Sequence, residues 1–239
     1  MNQDSGNITD NAIQKIMEEN KRITSMFIHE LRNPLSLIKG TLQYIEMKHP
    51  ETKDYKYWSQ LHELIHDMEL MMSDASLLNS GTVLTMQSTN LFELITTVAE
   101  NFMPQAENQQ KHLSVKASLE CESVISSYSC DSGKIKQVLS NLIKNALEAT
   151  SPGNFIEIIL GIESTGTNPM VSIQINNNGL PIPESELDTI FLPFVTSKKY
   201  GTGVGLALAK RIIEGHLGRI HVRSTEALTG FTILLPLQS

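Results

Sequence analysis

The sequence predicts an α+β chain in two parts: a pair of long antiparallel helices, then helices layered on one face of a mixed sheet. Three observations predict it. Apolar residues recur at steps of three and four from about Asn11 to Met47. A second stripe of the same period runs from Leu61 to Leu78 and stops at Asn79-Ser80-Gly81. Beyond Gly81 the texture changes to short apolar or alternating runs separated by Gly, Asn, Thr and Pro. These observations place the division at residues 1–80 and 81–239.

The first stripe is Ile13, Ile16, Ile23, Phe27, Leu31, Leu35, Ile38, Leu42 and Ile45, a helical rod of roughly 50 Å at about 1.5 Å per residue. His49-Pro50 ends it, because a residue before proline avoids helical angles. The second stripe is Leu61, Leu64, Ile65, Met68, Met71, Met72, Ala75 and Leu78. Two helices joined by a short turn cannot bury both sides of such stripes alone. Pairing two copies into a four-helix bundle is the remedy, so a homodimer is expected. A helix near Asn90–Gln109 follows, and another over Ser132–Thr150. Phe155–Ile162 and Met170–Asn176 read as strands, a glycine-punctuated stretch over Lys198–Gly205 precedes a helix over Leu206–Leu217, and strands at Arg219–Ser224 and Gly230–Leu237 close the chain.

Composition narrows the function classes. With 26 acidic against 19 basic residues the formal charge is -7, which argues against a nucleic-acid partner. No apolar stretch approaches the roughly 18 residues a membrane span needs, and membrane insertion is not expected. The segment Met1–Asp10 is polar and lacks the apolar run of a secretory signal. Only Cys121 and Cys130 are present, so a disulfide framework is not expected and a cytoplasmic setting is.

Several segments carry chemistry. His29 lies mid-helix within Phe27-Ile28-His29-Glu30-Leu31-Arg32-Asn33-Pro34-Leu35. An imidazole titrates near neutrality and offers a nucleophilic neutral nitrogen. Pro34 crowds the carbonyl of Glu30 and predicts a kink just beyond the histidine. Asn141 and Asn145, within Asn141-Leu142-Ile143-Lys144-Asn145-Ala146, stand four apart, so both amides leave one helical face. Asn177-Asn178-Gly179-Leu180-Pro181 reads as a turn. Phe191-Leu192-Pro193-Phe194-Val195-Thr196-Ser197-Lys198 leads into Gly201-Thr202-Gly203-Val204-Gly205-Leu206. Such glycines let backbone approach phosphates, and the amides opening the next helix point at negative charge. His62-Glu63-Leu64-Ile65-His66 spells a zinc-protease motif, but the stripe assigns it to the second helix, with its histidines flanking the seam. His49, His112, His216 and His221 fit no ligand pattern.

In their order and spacing these segments resemble the H-box, N-box, F-box and glycine boxes of the sensor histidine kinases, and the resemblance runs from about Asn11 to Leu237. It implies a dimerisation and phosphotransfer hairpin followed by an α/β-sandwich ATP-binding domain of the GHKL type. It makes His29 the phosphate acceptor and Glu30 the residue that orients and polarises it. Asn33 becomes the residue that positions water for dephosphorylating a regulator; the alternative is that it satisfies backbone groups loosened by Pro34. Asn145 becomes the Mg²⁺ ligand, an amide oxygen being a suitable hard donor. Asn141 stands where related ATPases carry a water-activating glutamate, so the γ-phosphoryl group is spared for the histidine.

Gly179 keeps its place in the adenine box, while Asn177 replaces the aspartate that accepts from the adenine amino group and Pro181 replaces a glycine. Thr196, Lys198, Gly201, Gly203, Gly205 and Leu206 fall in the phosphate lid, with Lys198 either docking the lid or reaching phosphate. Glu148 stands where many relatives carry a phosphate-contacting lysine, a loss Lys144 would have to offset. The implied function is an ATP-dependent autokinase that passes its phosphoryl group from His29 to an aspartate on a response-regulator receiver domain. The signal arrives from a separate sensory protein docked on the bundle, or the chain is part of a longer kinase. The alternative is a phosphotransfer or scaffold protein with a degenerate nucleotide domain, motivated by Asn177, Pro181 and Glu148.

Overall fold

The computed structural model describes residues 4–79, 83–118, 125–165, 168–198 and 201–237. The chain divides into two compact units, 1–81 and 82–239.

In the first unit, helix α1 (Asp4–Lys48) is followed by a 3₁₀ turn over Pro50–Asp54 and helix α2 (Trp58–Asn79). Pro34 lies inside α1 without ending it. The two helices pack in opposite directions. Lys39 Nζ donates to both carboxylate oxygens of Glu69 at 2.8 Å, while Trp58 Nε1 donates to Glu46 Oε1 at 2.7 Å. Between them Ile28 and Leu35 bury against Ile65 and Met72, flanked by Leu42 and Ala75.

The seam adds one residue to the expected stripes and leaves much of them uncovered by the partner helix. The seam on α1 is the seven-residue repeat Ile28, Leu35, Leu42, and Ile28 stood outside the expected stripe. Ile23, Phe27, Leu31 and Ile38 are exposed, at 63% for Phe27 and 52% for Ile38. Leu61, Leu64, Met68 and Met71 of α2 are exposed as well. A helix in contact with one neighbour buries a narrow seam, whereas these helices carry apolar residues over a wider arc. The side chains of Ile13, Ile16 and Leu78 lie outside the described residues.

The second unit is built on a five-stranded mixed sheet with order β2-β4-β5-β7-β6. Its strands are β2 (His112–Ala117), β4 (Phe155–Thr165), β5 (Asn168–Asn177), β6 (Arg219–Ser224) and β7 (Thr229–Pro236). The β2–β4 pair is parallel and the others are antiparallel. A small antiparallel ribbon joins β1 (Gln87–Thr89) to β3 (Tyr128–Cys130). Helices α3 (Leu91–Asn108) and α6 (Gly205–Gly215) each pack against α4 (Ser132–Ala149), and all three pack against the sheet; a short turn, α5 (Glu184–Leu187), precedes α6.

Isoleucines at alternate positions explain the core. Ile156, Ile158 and Leu160 of β4 and Val171, Ile173 and Ile175 of β5 are fully enclosed against Leu139, Leu142, Ile143 and Leu147 of α4. The β4–β5 hairpin is longer than expected: the ladder continues through Glu163↔Met170 to Thr165↔Asn168, so residues read as turn extend both strands.

The start of α4 is strongly specified. Asp131 Oδ1 accepts from Lys134 N–H at 3.0 Å as its N-cap, and Oδ2 accepts from Thr85 N–H at 2.9 Å. Burial pushes the Asp131 carboxyl up, but these two amides outweigh it and hold the group below its ordinary value. Tyr128, whose hydroxyl donates to the Pro236 carbonyl at 2.7 Å, is pushed up to about 12 by burial. Cys130 is a buried free thiol, likewise raised by burial; Cys121 lies outside the described residues.

Candidate functional site

Two regions hold the residues singled out from the sequence. In the first unit His29, Glu30 and Asn33 are all exposed on α1. Ile28 and Leu35, buried against α2, fix which way this stretch faces, and His29 and Asn33 follow one another up the helix a turn apart. At the other end of the pair, His62 Nε2 lies 3.0 Å from Glu46 Oε1, whose carboxyl is held low chiefly by the Trp58 hydrogen bond. His66 is exposed. The motif's two histidines therefore meet different surroundings, and no cluster of three His, Cys, Asp or Glu able to hold a metal occurs among the described residues.

In the second unit, the C-terminal half of α4 is the hub. The side-chain amide of Asn141 lies against Gly205, where a Cβ would run into it. One turn on, Asn145 Oδ1 accepts from Lys198 Nζ at 2.7 Å, and Lys198 also pairs with Glu148. At the helix end the Ala149 carbonyl accepts from Leu180 N–H at 2.9 Å. Gly179 is needed there because any Cβ would collide with that carbonyl. The structure thus brings Asn141, Asn145, Gly179, Lys198 and Gly205 around one helix, with Leu206 half-buried behind Gly205.

The glycine-rich segment is held by its own backbone before it runs into α6. Phe194 N–H donates to the Gly203 carbonyl at 2.9 Å, and Gly203 takes a φ of 65°, a left-handed conformation suited to glycine. Lys198 N–H donates to Thr196 Oγ1 at 3.1 Å, and Gly201 N–H to the Lys198 carbonyl at 3.2 Å. Lys198 thus contacts α4 through both Asn145 and Glu148. Lys144 is exposed.

Asn177 ends β5 and is 2% exposed; its Nδ2 has no hydrogen-bond partner among the described residues. A buried amide N–H without a partner is costly, and a ligand acceptor would satisfy it. Asn178 ties the turn down by accepting from Phe155 N–H at 2.8 Å. Opposite Asn177 in the ladder stands Thr229, buried, whose hydroxyl is hydrogen-bonded to Ser224. Sequence reasoning passed over Thr229 and Ser224. Both are small hydroxyl residues in strands, and only the register Asn177↔Thr229 brings them to the site.

These features fit a nucleotide with a divalent cation: an amide oxygen that already attracts a positive charge, a close-approach glycine, and an orphaned buried donor. The comparisons with known proteins bear on the nucleotide. Residues 130–239 match the family described as histidine kinase-, DNA gyrase B-, and HSP90-like ATPase. Sporulation kinase D of Bacillus subtilis (strain 168) is 32% identical over 217 residues, covering 88% of this chain and 40% of that protein. The chain spans less than half the length of the curated relatives it matches first. Among solved structures, the catalytic domain of histidine kinase ThkA aligns at 33% identity and a TM-score of 0.56, covering 65% of this chain and 97% of the domain. The complex of ThkA with response regulator TrrA aligns at 28% identity and a TM-score of 0.65, covering 91% of this chain and 61% of the matched one. The second unit matches a histidine kinase catalytic domain in sequence and fold, and the likeness to the sporulation kinase runs through nearly the whole chain; it belongs to the sensor histidine kinases.

Proposed function

We propose that this chain is an ATP-dependent protein-histidine kinase that phosphorylates its own His29 and passes the group to an aspartate of a response-regulator receiver domain. The observation that carries the reading is the convergence of Asn141, Asn145 and the glycine-rich loop on the C-terminal half of α4. Phosphoryl transfer depends mainly on alignment and charge neutralisation. Asn145 would hold Mg²⁺, which supplies neutralisation of the phosphate charge; the chain's own groups do the rest. Thr196, Gly201, Gly203, Gly205 and Leu206 shape the wall facing the phosphates, and Asn177 with Gly179 takes the base. Asn141, lacking a carboxylate, leaves water unactivated and the phosphoryl group available to a nucleophile.

His29 is exposed mid-helix on α1, and Glu30, next in sequence, is the residue that the family resemblance makes the orienting group. Asn33, one turn on, would position water against the regulator's aspartyl phosphate, giving a phosphatase as well. The TrrA complex of ThkA supports a receiver domain as partner. A homodimer is supported by the exposed apolar faces of α1 and α2, which a second copy would cover in a four-helix bundle.

Incubation with γ-labelled ATP tests the reading. Acid-labile label that disappears in His29→Ala and in Asn145→Ala is the expected result. No label in the parent protein would favour a phosphotransfer scaffold, and released phosphate without label an ATPase.

A further inference from the structure

Glu148 stands one turn beyond Asn145 on α4, so both side chains leave the same face of the helix. Lys198 reaches that face from the loop and contacts both of them. The loop is braced to hold the ammonium there, through the Lys198 N–H to Thr196 and the Gly201 N–H to the Lys198 carbonyl. A Cβ at Gly201 would press on both Thr196 Oγ1 and Lys198 Cβ. An amide oxygen suited to a hard dication is therefore already holding a monovalent one. Two cations on one oxygen would stand a few ångström apart and repel. Ammonium and metal are alternatives at Asn145.

We propose that Glu148 is a positioning residue that parks Lys198 on Asn145, so that a divalent cation arriving with nucleotide must displace the ammonium and thereby release the loop from α4. The proposal rests on the reading of Asn145 as the metal ligand. Lys198 and Glu148 side chains are 45% and 40% exposed, which makes the pair weak enough to be broken by a ligand. Once displaced, the ammonium is the cation free to turn toward phosphate. One residue then serves in sequence the two roles that the primary structure left open for it.

Two measurements on the full chain test this. The first is hydrogen exchange at the Lys198 and Gly201 amides in the nucleotide-free protein. Glu148→Gln and Lys198→Met are each expected to speed exchange about threefold, the scale of an exposed pair, and the double variant to go no further because one contact is shared. The second is Mg²⁺ titration of the binding of a fluorescent ATP analogue. Glu148→Gln is expected to lower the half-saturating Mg²⁺ about threefold. A rise would show that the carboxylate recruits the metal, and an unchanged value that nothing competes for Asn145; either overturns the proposal, as do additive exchange effects. Asn145→Ala separates the premise from the proposal. If that variant keeps the parent's Mg²⁺ dependence, the metal assignment fails by itself, and the exchange measurement still decides whether Glu148 holds the loop.

Discussion

The two units of this chain close their cores to very different degrees. In residues 82–239 a sheet and its helices enclose Leu91, Ile95, Leu139, Leu142, Ile158 and Ile173 completely. In residues 1–81 the described helices bury Ile28, Leu35, Ile65 and Met72, and leave Phe27, Leu31, Ile38, Leu64 and Met68 exposed. A layer of helices on a sheet has an inside of its own. Two helices side by side have only a seam, and their remaining apolar surface waits for a partner. The nucleotide-binding unit is accordingly expected to owe its stability to itself, and the helical unit to whatever covers its second face.

The comparison can be broken most forcefully from within. Leu142→Ala opens a cavity in the closed core and is expected to cost about 3–4 kcal/mol in the second unit's unfolding, read by denaturant titration at any protein concentration. A charge on the open face acts differently: Ile38→Asp should weaken the proposed homodimer at least tenfold by sedimentation, about 1.4 kcal/mol or more, while the second unit's transition stays put. If both variants shift both units equally, the units are not energetically separate.

A third test uses alkali. The folded pKa of Tyr128, about 12, lies above its ordinary 10.0, so the stability this residue contributes is complete below pH 10. It is lost as pH rises toward 12, because the unfolded chain releases the proton first. Tyr128→Phe should cost about 1 kcal/mol at neutral pH, from the lost bond to Pro236, and flatten that decline. The smallest effect is expected at the base. Asn177→Asp should raise the preference for ATP over GTP a few-fold in competition binding, since an amide can flip to donate and an ionised carboxylate can only accept.

The sequence was most legible where one residue decides a local matter. Helix ends near Asn90 and Ser132, and the strand at Arg219–Ser224, follow from periodicity broken by capping or turn residues. The apolar stripe of the first helix was legible as helical but not as to which side faces α2. Ile28 and Phe27 are neighbours in sequence, and a stripe wide enough to serve two interfaces contains no mark separating them. Strand order was not legible either, because the β1–β3 ribbon and the parallel β2–β4 pair depend on long-range closure. At the site, the Glu148 departure was visible, but its pairing with Lys198, fifty residues away, could not be read from either residue alone.

His216, which fits no ligand pattern, spans two helices. Its Nδ1 donates to the Ile212 carbonyl at 2.8 Å, and its Nε2 accepts from Asp131 N–H at 3.0 Å. The imidazole, 3% exposed, therefore rivets the last turn of α6 to the residue that caps α4. At the other end of α6, Gly205 is seated against Asn141 of α4. Two helices fastened at two well-separated points behave as a picture frame whose corners are fixed. Two such anchors hold the helices against shear, and Lys198 docks on the edge they fix, through Asn145 and Glu148 of α4. A bulkier residue at Gly205 or an apolar one at His216 would loosen a corner, and Lys198 would lose the fixed edge on which it docks.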